Sequence, residues 1–206
     1  LRSKQNKKDH PNENFAREVM ELFTLGRGNY TEQDVKEAAK VLTGWQVNGT
    51  TYQSVFTSSR HSTVNKTFST FYNNTIITGR TGATAGDLEL TDLMNMIFSQ
   101  NEVAKFIVRK LYRYFVYYDI DAATEMNVIT PLADIFRNNN YDIKTVLSTL
   151  FKSEHFYDAS FGMDCLIKNP MDYYLGLART AKIILPPASQ IEDAHLSNIT
   201  LFYVID

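Results

Sequence analysis

The chain has 206 residues, of which 44% are hydrophobic, and its formal net charge is −2. This hydrophobic content is enough for a sizeable core, which argues against wholesale disorder. The near-neutral charge, without any basic stripe, argues against a nucleic-acid partner. No apolar run reaches the roughly 18–20 residues that span a bilayer, so we expect no transmembrane segment in this sequence.

The first two predicted elements are helices. Residues 12–25 fit an amphipathic helix with Asn12 as its N-cap and Gly26 just past its end. Thr31 followed by Asp34 resembles a capping box, and the next apolar residues recur at helical spacing until Gly44. The short link between these helices predicts a hairpin-like pair.

The composition changes after the second helix. No acidic residue occurs between Glu37 and Asp87, and Ser, Thr and Asn alternate with aromatic residues. This pattern is typical of loops and short strands rather than helix. We therefore predict that residues 46–86 form an irregular or β-containing excursion from a helical scaffold.

Helical periodicity resumes near residue 88 and continues to the C-terminal part of the chain. The first two predicted helices cover residues 88–98 and a segment that is capped by Asn101 and reaches Tyr118. The next two cover residues 124–137 and a segment capped by Asp142. A short turn from Ser153 to Phe156 and a final helix from Pro170 to Ile184 follow. The sequence thus predicts a mainly α fold with a scaffold of about six or seven helices. We expect residues 1–206 to be a single domain and, from the character of both ends, an internal fragment of a longer protein.

Sequence motifs give little sign of bound cofactors. The single cysteine, Cys165, excludes a disulfide within the chain and disfavours a cysteine-based zinc site, so we interpret it as a small buried residue. The histidines lack metal-ligand spacing, and there is no phosphate loop or dinucleotide fingerprint. We predict no metal and no cofactor.

Two long blocks resemble a known family. Residues 12–26 (NENFAREVMELFTLG) and residues 30–45 (YTEQDVKEAAKVLTGW) resemble the bacterial domain-of-unknown-function family 1800. Shorter matches follow in order: His61 with Lys66 and Thr67, then residues 106–111, 153–156 and 168–170, although residues 62–65 depart from the usual Asp and Gly. The resemblance implies a large exported protein, and hence an extracytoplasmic location (periplasmic, outer-membrane-associated or secreted). It supplies no mechanism.

The polar face of the first helix is one candidate site. Asn14, Glu18 and Glu21 form a stripe, and Arg17 can pair with carboxylates one turn away. Two carboxylates one turn apart can hold a cation or share a proton. The alternative is a solvated helix face with weak surface ion pairs.

Cationic residues of the excursion form a second candidate. His61 can act as a base near neutral pH, and Lys66 can hold an anion, although a histidine in a polar loop is more often simply solvated. Because the excursion carries cations without acids, we predict that His61 and Lys66 dock near Asn14 and Glu18.

A basic cluster on the later helix is the third candidate. Arg109, Lys110 and Arg113 share a face that is either solvated or supplies internal partners for Glu18 and Glu21. We expect the internal network, because buried carboxylates are rarely left unpaired.

Three functions remain open from the sequence. The leading hypothesis is a binding or assembly module of the cell envelope that contacts carbohydrate or another envelope protein; its candidate ligand-binding residues are Asn14, Arg17, Trp45, Lys66, Arg109 and Lys110. The runner-up is a hydrolase-like enzyme with Glu18 or Glu21 and His61 as acid/base groups and Lys66 or Arg109 holding an anion. The third is a scaffold whose polar residues bond helices together.

Overall fold

The computed structural model describes residues 6–158 and 169–182, which fall into two units. The mainly α fold is confirmed: helices dominate, and the described strands form only two small two-stranded sheets. Cys165 and the predicted end of the last helix beyond residue 182 lie outside the described residues.

The first two helices begin where their caps predict. Helix α1 (Glu13–Glu18) starts after Asn12, whose side chain accepts a hydrogen bond from the Phe15 amide, and continues as a π-helical turn (Val19–Thr24). Helix α2 (Glu32–Val41) starts with the predicted capping box. Between them, Gly26 has φ +74°, and a Cβ there would lie 2.9 Å from the Phe106 ring, so this position needs glycine on both counts.

The excursion contains the predicted short strands. Strand β1 (Trp45–Val47) pairs antiparallel with β2 (Ser54–Phe56), and β3 (Lys66–Thr67) pairs antiparallel with β4 (Ile76–Ile77). Two 3₁₀ turns, Ser58–Arg60 and Thr70–Tyr72, complete the segment. Its side chains Phe68, Tyr72 and Ile77 are buried in the same core as α1 and α2, so the excursion is an integral part of this unit.

Six helices follow the excursion within residues 85–158. They are α3 (Ala85–Phe98), α4 (Asn101–Phe115), α5 (Ala122–Thr124), which continues as a π-helical turn (Glu125–Ile129), α6 (Thr130–Asn138), α7 (Ile143–Phe151) and α8 (Glu154–Tyr157). A second core cluster joins α4, α6 and α7, and Tyr141 packs against both clusters. In the other unit, the helix Pro170–Thr180 begins after Asn169, whose side chain accepts from the Asp172 amide.

Several predicted boundaries need correction. Helix α3 begins at Ala85 rather than near residue 88, and α4 ends at Phe115 rather than Tyr118. Asn101 is the first residue of α4 and not its cap; its side chain accepts from Arg137 instead. Asp142 and Ser153 do cap α7 and α8 as predicted.

Asp34 ties helix α2 to the excursion. Its buried carboxylate accepts from the amide and hydroxyl of Thr31 at 2.8 Å each, and from the amide and hydroxyl of Ser69 at 2.7 and 2.8 Å. Burial by itself raises the pKa of Asp34, but these hydrogen bonds outweigh it and hold the pKa below its ordinary value. The second member of the α2 capping box, Asp34, is thus also a tertiary anchor.

We expect Asp34→Asn to lower the free energy of unfolding by about 1–3 kcal/mol near neutral pH, because an amide cannot accept all four bonds. The carboxylate's contribution is complete above its unfolded pKa of about 4 and is lost as pH falls through the lower folded value. Urea unfolding of both proteins at about pH 6 and about pH 3 should therefore show a difference that narrows in acid. An equal difference at both pH values would contradict this role.

Candidate functional site

Three ionisable side chains of the excursion and helix α3 meet inside the protein. His61, Lys66 and Glu89 are each at most 1% exposed, and we refer to them as the buried polar cluster. Lys66 Nζ lies 2.5 Å from Glu89 Oε2 and donates to the Ser62 carbonyl at 2.6 Å. Lys66 faces inward because β3 pairs it with Ile77 on the buried side of the ribbon.

The second carboxylate oxygen of Glu89 meets two other groups. It accepts from the Arg80 amide at 2.6 Å and lies 3.1 Å from His61 Nε2, within ion-pair distance but without hydrogen-bond alignment. His61 Nδ1 is 2.8 Å from the Thr43 carbonyl, which only accepts, so Nδ1 carries the hydrogen and donates. Nε2 of the neutral ring therefore carries no hydrogen. Its contact with the Glu89 carboxylate is attractive only when a proton lies between the two groups.

The buried polar cluster joins the end of α2, the excursion and α3. Thr43 Oγ1 donates to the Lys40 carbonyl at 2.6 Å and accepts from the Ser62 amide at 2.8 Å. Phe56 contacts the His61 ring edge-on, with centroids 5.2 Å apart, and helps close the site. Burial lowers the pKa of Lys66, and the Glu89 carboxylate opposes that shift. Closed to solvent, the cluster is suited to holding elements together rather than to turning over a soluble substrate.

A groove beside the first strand is a separate candidate site. It has a volume of about 160 Å³ and is lined by Asn6, Asn12, Phe15, Trp45, Gln46, Val47 and Ser54. Its exposed wall is mostly apolar. Trp45 Nε1 is buried and has no hydrogen-bond partner among the described residues. A buried indole N–H normally finds an acceptor, so this unsatisfied donor is unusual for a folded protein.

Most of the amides that line the groove are already engaged. Asn6 donates to the Leu42 carbonyl at 2.5 Å and accepts from the Asn12 amide at 3.1 Å. Gln46 donates to Thr57 Oγ1 at 2.8 Å and accepts from Arg60 at 2.9 Å. These bonds fix the polar rim and leave few free donors or acceptors for a ligand.

Comparison with known proteins gives the family of the chain. The family model described as "Protein of unknown function (DUF1800)" matches residues 1–200. The chain belongs to the DUF1800 family. No curated protein and no solved structure matches it. Membership confirms the family resemblance, and the family description assigns no activity to the buried polar cluster or to the groove.

In this DUF1800 chain, two expected contacts of the excursion are replaced by others. We predicted that His61 and Lys66 would dock on the polar face of α1, near Asn14 and Glu18; they bind Glu89 of α3 instead. Within the described residues, the side chain of Glu18 makes no hydrogen bond or ion pair, and Asn14 is exposed. The physical reason is burial: a desolvated lysine needs a carboxylate in contact, and Glu89 is the one enclosed with it.

The expected pairing of α1 with the basic face of α4 is also wrong. Arg17 binds Glu32 in a bidentate pair, with N–O distances of 2.8 and 2.5 Å, and Glu21 binds Arg27 at 2.5 Å. On α4, the guanidinium of Arg109 binds Glu102 and Glu125. Each of these cations thus pairs with a carboxylate on its own helix or on a neighbouring segment of the chain, and not with a carboxylate across from α1 to α4.

Lys110 and Arg113, the other two residues of the basic cluster on α4, bind carbonyl groups. Lys110 donates to the Leu22 carbonyl at 2.6 Å, and Arg113 donates to the Tyr118 carbonyl at 3.3 Å. Lys110 therefore does connect α4 to the first helical segment, but through backbone at the end of the π-helical turn rather than through a carboxylate. A cation suits this position because helix C-termini leave carbonyls unpaired.

Sequence reasoning missed Glu89, although a signal was present. Ala85, Glu89, Leu93 and Ile97 follow each other at i, i+4 spacing and are all buried on one face of α3. A lone carboxylate on an apolar stripe indicates a buried, paired group. Within residues 6–158 and 169–182, no group of three or more His, Cys, Asp or Glu is placed to hold a metal ion. In that same part of the chain, no helix is both long and apolar enough to cross a membrane.

Proposed function

We propose that this DUF1800 chain is a protein-binding module of the bacterial cell envelope, and that the groove at Trp45 takes an apolar side chain of the partner. The observation that carries the proposal is the concave, mostly apolar wall of the groove, which includes Phe15, Trp45 and Val47. This wall would bury the side chain of the partner. A concave and mostly apolar surface is a common design of ligand sites.

Carbohydrate is the weaker choice of ligand for this groove. A sugar presents several hydroxyl groups, and each one that is buried needs a partner. The amides of Asn6 and Gln46 already bond within the protein. The volume of about 160 Å³ is also below the roughly 300–1,000 Å³ of sites for drug-sized ligands, and suits a single side chain.

The hydrolase alternative gains no support from the geometry. His61 is closed to solvent and its partner is Glu89, whereas Glu18 and Glu21 lie on the first helical segment with other contacts or none. A general base must reach the proton it abstracts from a substrate, and His61 is enclosed by Phe56, Thr43 and Glu89.

The envelope location rests on the family resemblance, not on the groove. Its test is fractionation of the native host, with the full-length protein detected by antibody beside a cytoplasmic and a periplasmic marker. Recovery with the periplasmic or membrane fraction is expected. Recovery with the cytoplasmic marker would overturn the location and leave the groove proposal to its own test.

We expect Val47→Asp to abolish binding of peptides selected by the wild-type chain from a random displayed library. Val47 is 45% exposed in the groove wall, so the substitution adds a charge without emptying the core. Burying an apolar side chain against the groove contributes about 1.5–3 kcal/mol, so at least a tenfold loss of affinity is expected. Fluorescence polarisation with the selected peptides measures it.

The matched control is Val64→Asp, at an exposed valine that is not among the groove residues. It should bind the selected peptides like the wild type. Selection of peptides that bind equally well to both variants would contradict the proposed site. Binding to a glycan array that Val47→Asp abolishes would instead show that carbohydrate is the ligand.

A further inference from the structure

The buried polar cluster places an amine and a carboxylate in contact away from water. Lys66 Nζ and Glu89 Oε2 are 2.5 Å apart, and both side chains are 0% exposed. Enclosure of an ion pair costs several kcal/mol in desolvation for each charge, which its own attraction only partly offsets. Any reaction that removes both charges and keeps the two groups joined is therefore favoured at this position.

We propose that Lys66 and Glu89 condense after folding into an amide bond between their side chains, with the loss of one water molecule. The bond would tie strand β3 to helix α3. This is a modification site independent of the proposed partner binding, since it lies in the interior and not in the groove.

The surroundings supply what the condensation needs. The amine must be neutral to attack, and burial lowers the pKa of Lys66, which favours the neutral form. The fold holds the two groups in contact, and such positioning replaces a bimolecular encounter. The Arg80 amide donates to Glu89 Oε1 at 2.6 Å, so negative charge that develops on Oε1 is stabilised.

The step balances without an external reagent. The Lys66 ammonium first gives a proton to Glu89 Oε2, which leaves a neutral amine and a carboxylic acid. The lone pair of Nζ then forms a bond to Cδ of Glu89, and the electrons of the C=O bond move to Oε1. Nζ passes a second proton to Oε2, the Cδ–Oε2 bond breaks, and Oε2 leaves as water while the carbonyl at Oε1 re-forms. Nothing is oxidised or reduced.

Intact-mass spectrometry of the purified full chain tests the bond. We expect the natively folded chain to weigh one water molecule less than its sequence. Trypsin should not cleave after the acylated Lys66, so residues 61–80 should appear joined to residues 81–105. A folded chain with the full sequence mass, which releases residues 61–66 as a free peptide, would overturn the proposal.

The control is the double variant Lys66→Met with Glu89→Gln, which keeps the volume of both side chains and removes the reacting pair. It should carry the full mass of its sequence. Loss of water in the double variant would place the dehydration elsewhere and would likewise overturn the proposal. Wild-type chain recovered from inclusion bodies and kept in urea, which has never folded, should also retain its full mass, because only the fold brings Lys66 to Glu89.

Discussion

Lys66→Met is expected to lower the free energy of unfolding by about 3–5 kcal/mol, because it leaves the Glu89 carboxylate buried without Lys66, whether the wild-type groups are paired as ions or joined as an amide. Lys66 and Glu89 are both 0% exposed, and their contact joins β3 to α3. Urea unfolding measures the change. The single tryptophan, Trp45, packs against Phe56, which contacts His61 of the buried polar cluster, so its fluorescence reports the transition.

A double-mutant cycle separates the pair from general loss of packing. Glu89→Gln alone should also destabilise the chain, and Lys66→Met with Glu89→Gln should be clearly more stable than the sum of the single effects predicts. Removal of both charges leaves no uncompensated ion, so part of the lost stability returns. Additive effects, or a loss under about 1 kcal/mol for Lys66→Met, would mean that the cluster is open to water.

Gly79→Ala is expected to destabilise the protein by about 2–3 kcal/mol, the upper end of the usual range for overpacking. A Cβ at Gly79 would lie 2.0 Å from the Thr63 carbonyl oxygen, which is backbone and cannot rotate away. The added methyl group would push the segments at Thr63 and Gly79 apart. The neighbouring Ser62 carbonyl and Arg80 amide, which bind the buried polar cluster, would move with them. Urea unfolding followed by Trp45 fluorescence again measures the change.

Gly49→Ala is the matched control for Gly79→Ala. It lies in the same excursion, and a Cβ there would meet no atom within 4 Å. It should change the stability little, or raise it slightly by restricting the unfolded chain. If both variants behave alike, close approach between Gly79 and Thr63 is not a feature of the folded protein.

Local sequence rules predicted much of this fold. The N-caps Asn12, Thr31, Asp142 and Ser153 all act as expected, because a capping bond depends on residues only two or three positions away. The absence of acidic residues after Glu37, together with the change in composition, predicted the excursion for a similar reason, because local composition depends directly on local conformation. The sequence blocks at residues 12–26 and 30–45 predicted the family, which the match of the family model to residues 1–200 confirms.

Tertiary charge pairing could not be predicted in the same way. The sequence shows that the excursion is cationic, but many carboxylates lie within reach of a folded chain, and desolvation decides which one is selected. The acidic stripe on α1 was the obvious partner, whereas Lys66 is enclosed with the single Glu89 on an otherwise apolar stripe. The groove at Trp45 was equally hidden, because it needs Asn6, Phe15 and Ser54 to meet from distant segments.

Hydrogen exchange at two amides tests most directly whether the buried polar contacts lock the excursion onto the helices. The Arg80 amide donates to Glu89 at 2.6 Å and the Ser69 amide donates to Asp34 at 2.7 Å, and neither residue lies in a helix or strand. If the excursion is locked, both amides should exchange only when the unit unfolds, as slowly as core amides of α3. Exchange at the rate of an unstructured loop, while α3 stays protected, would contradict the account.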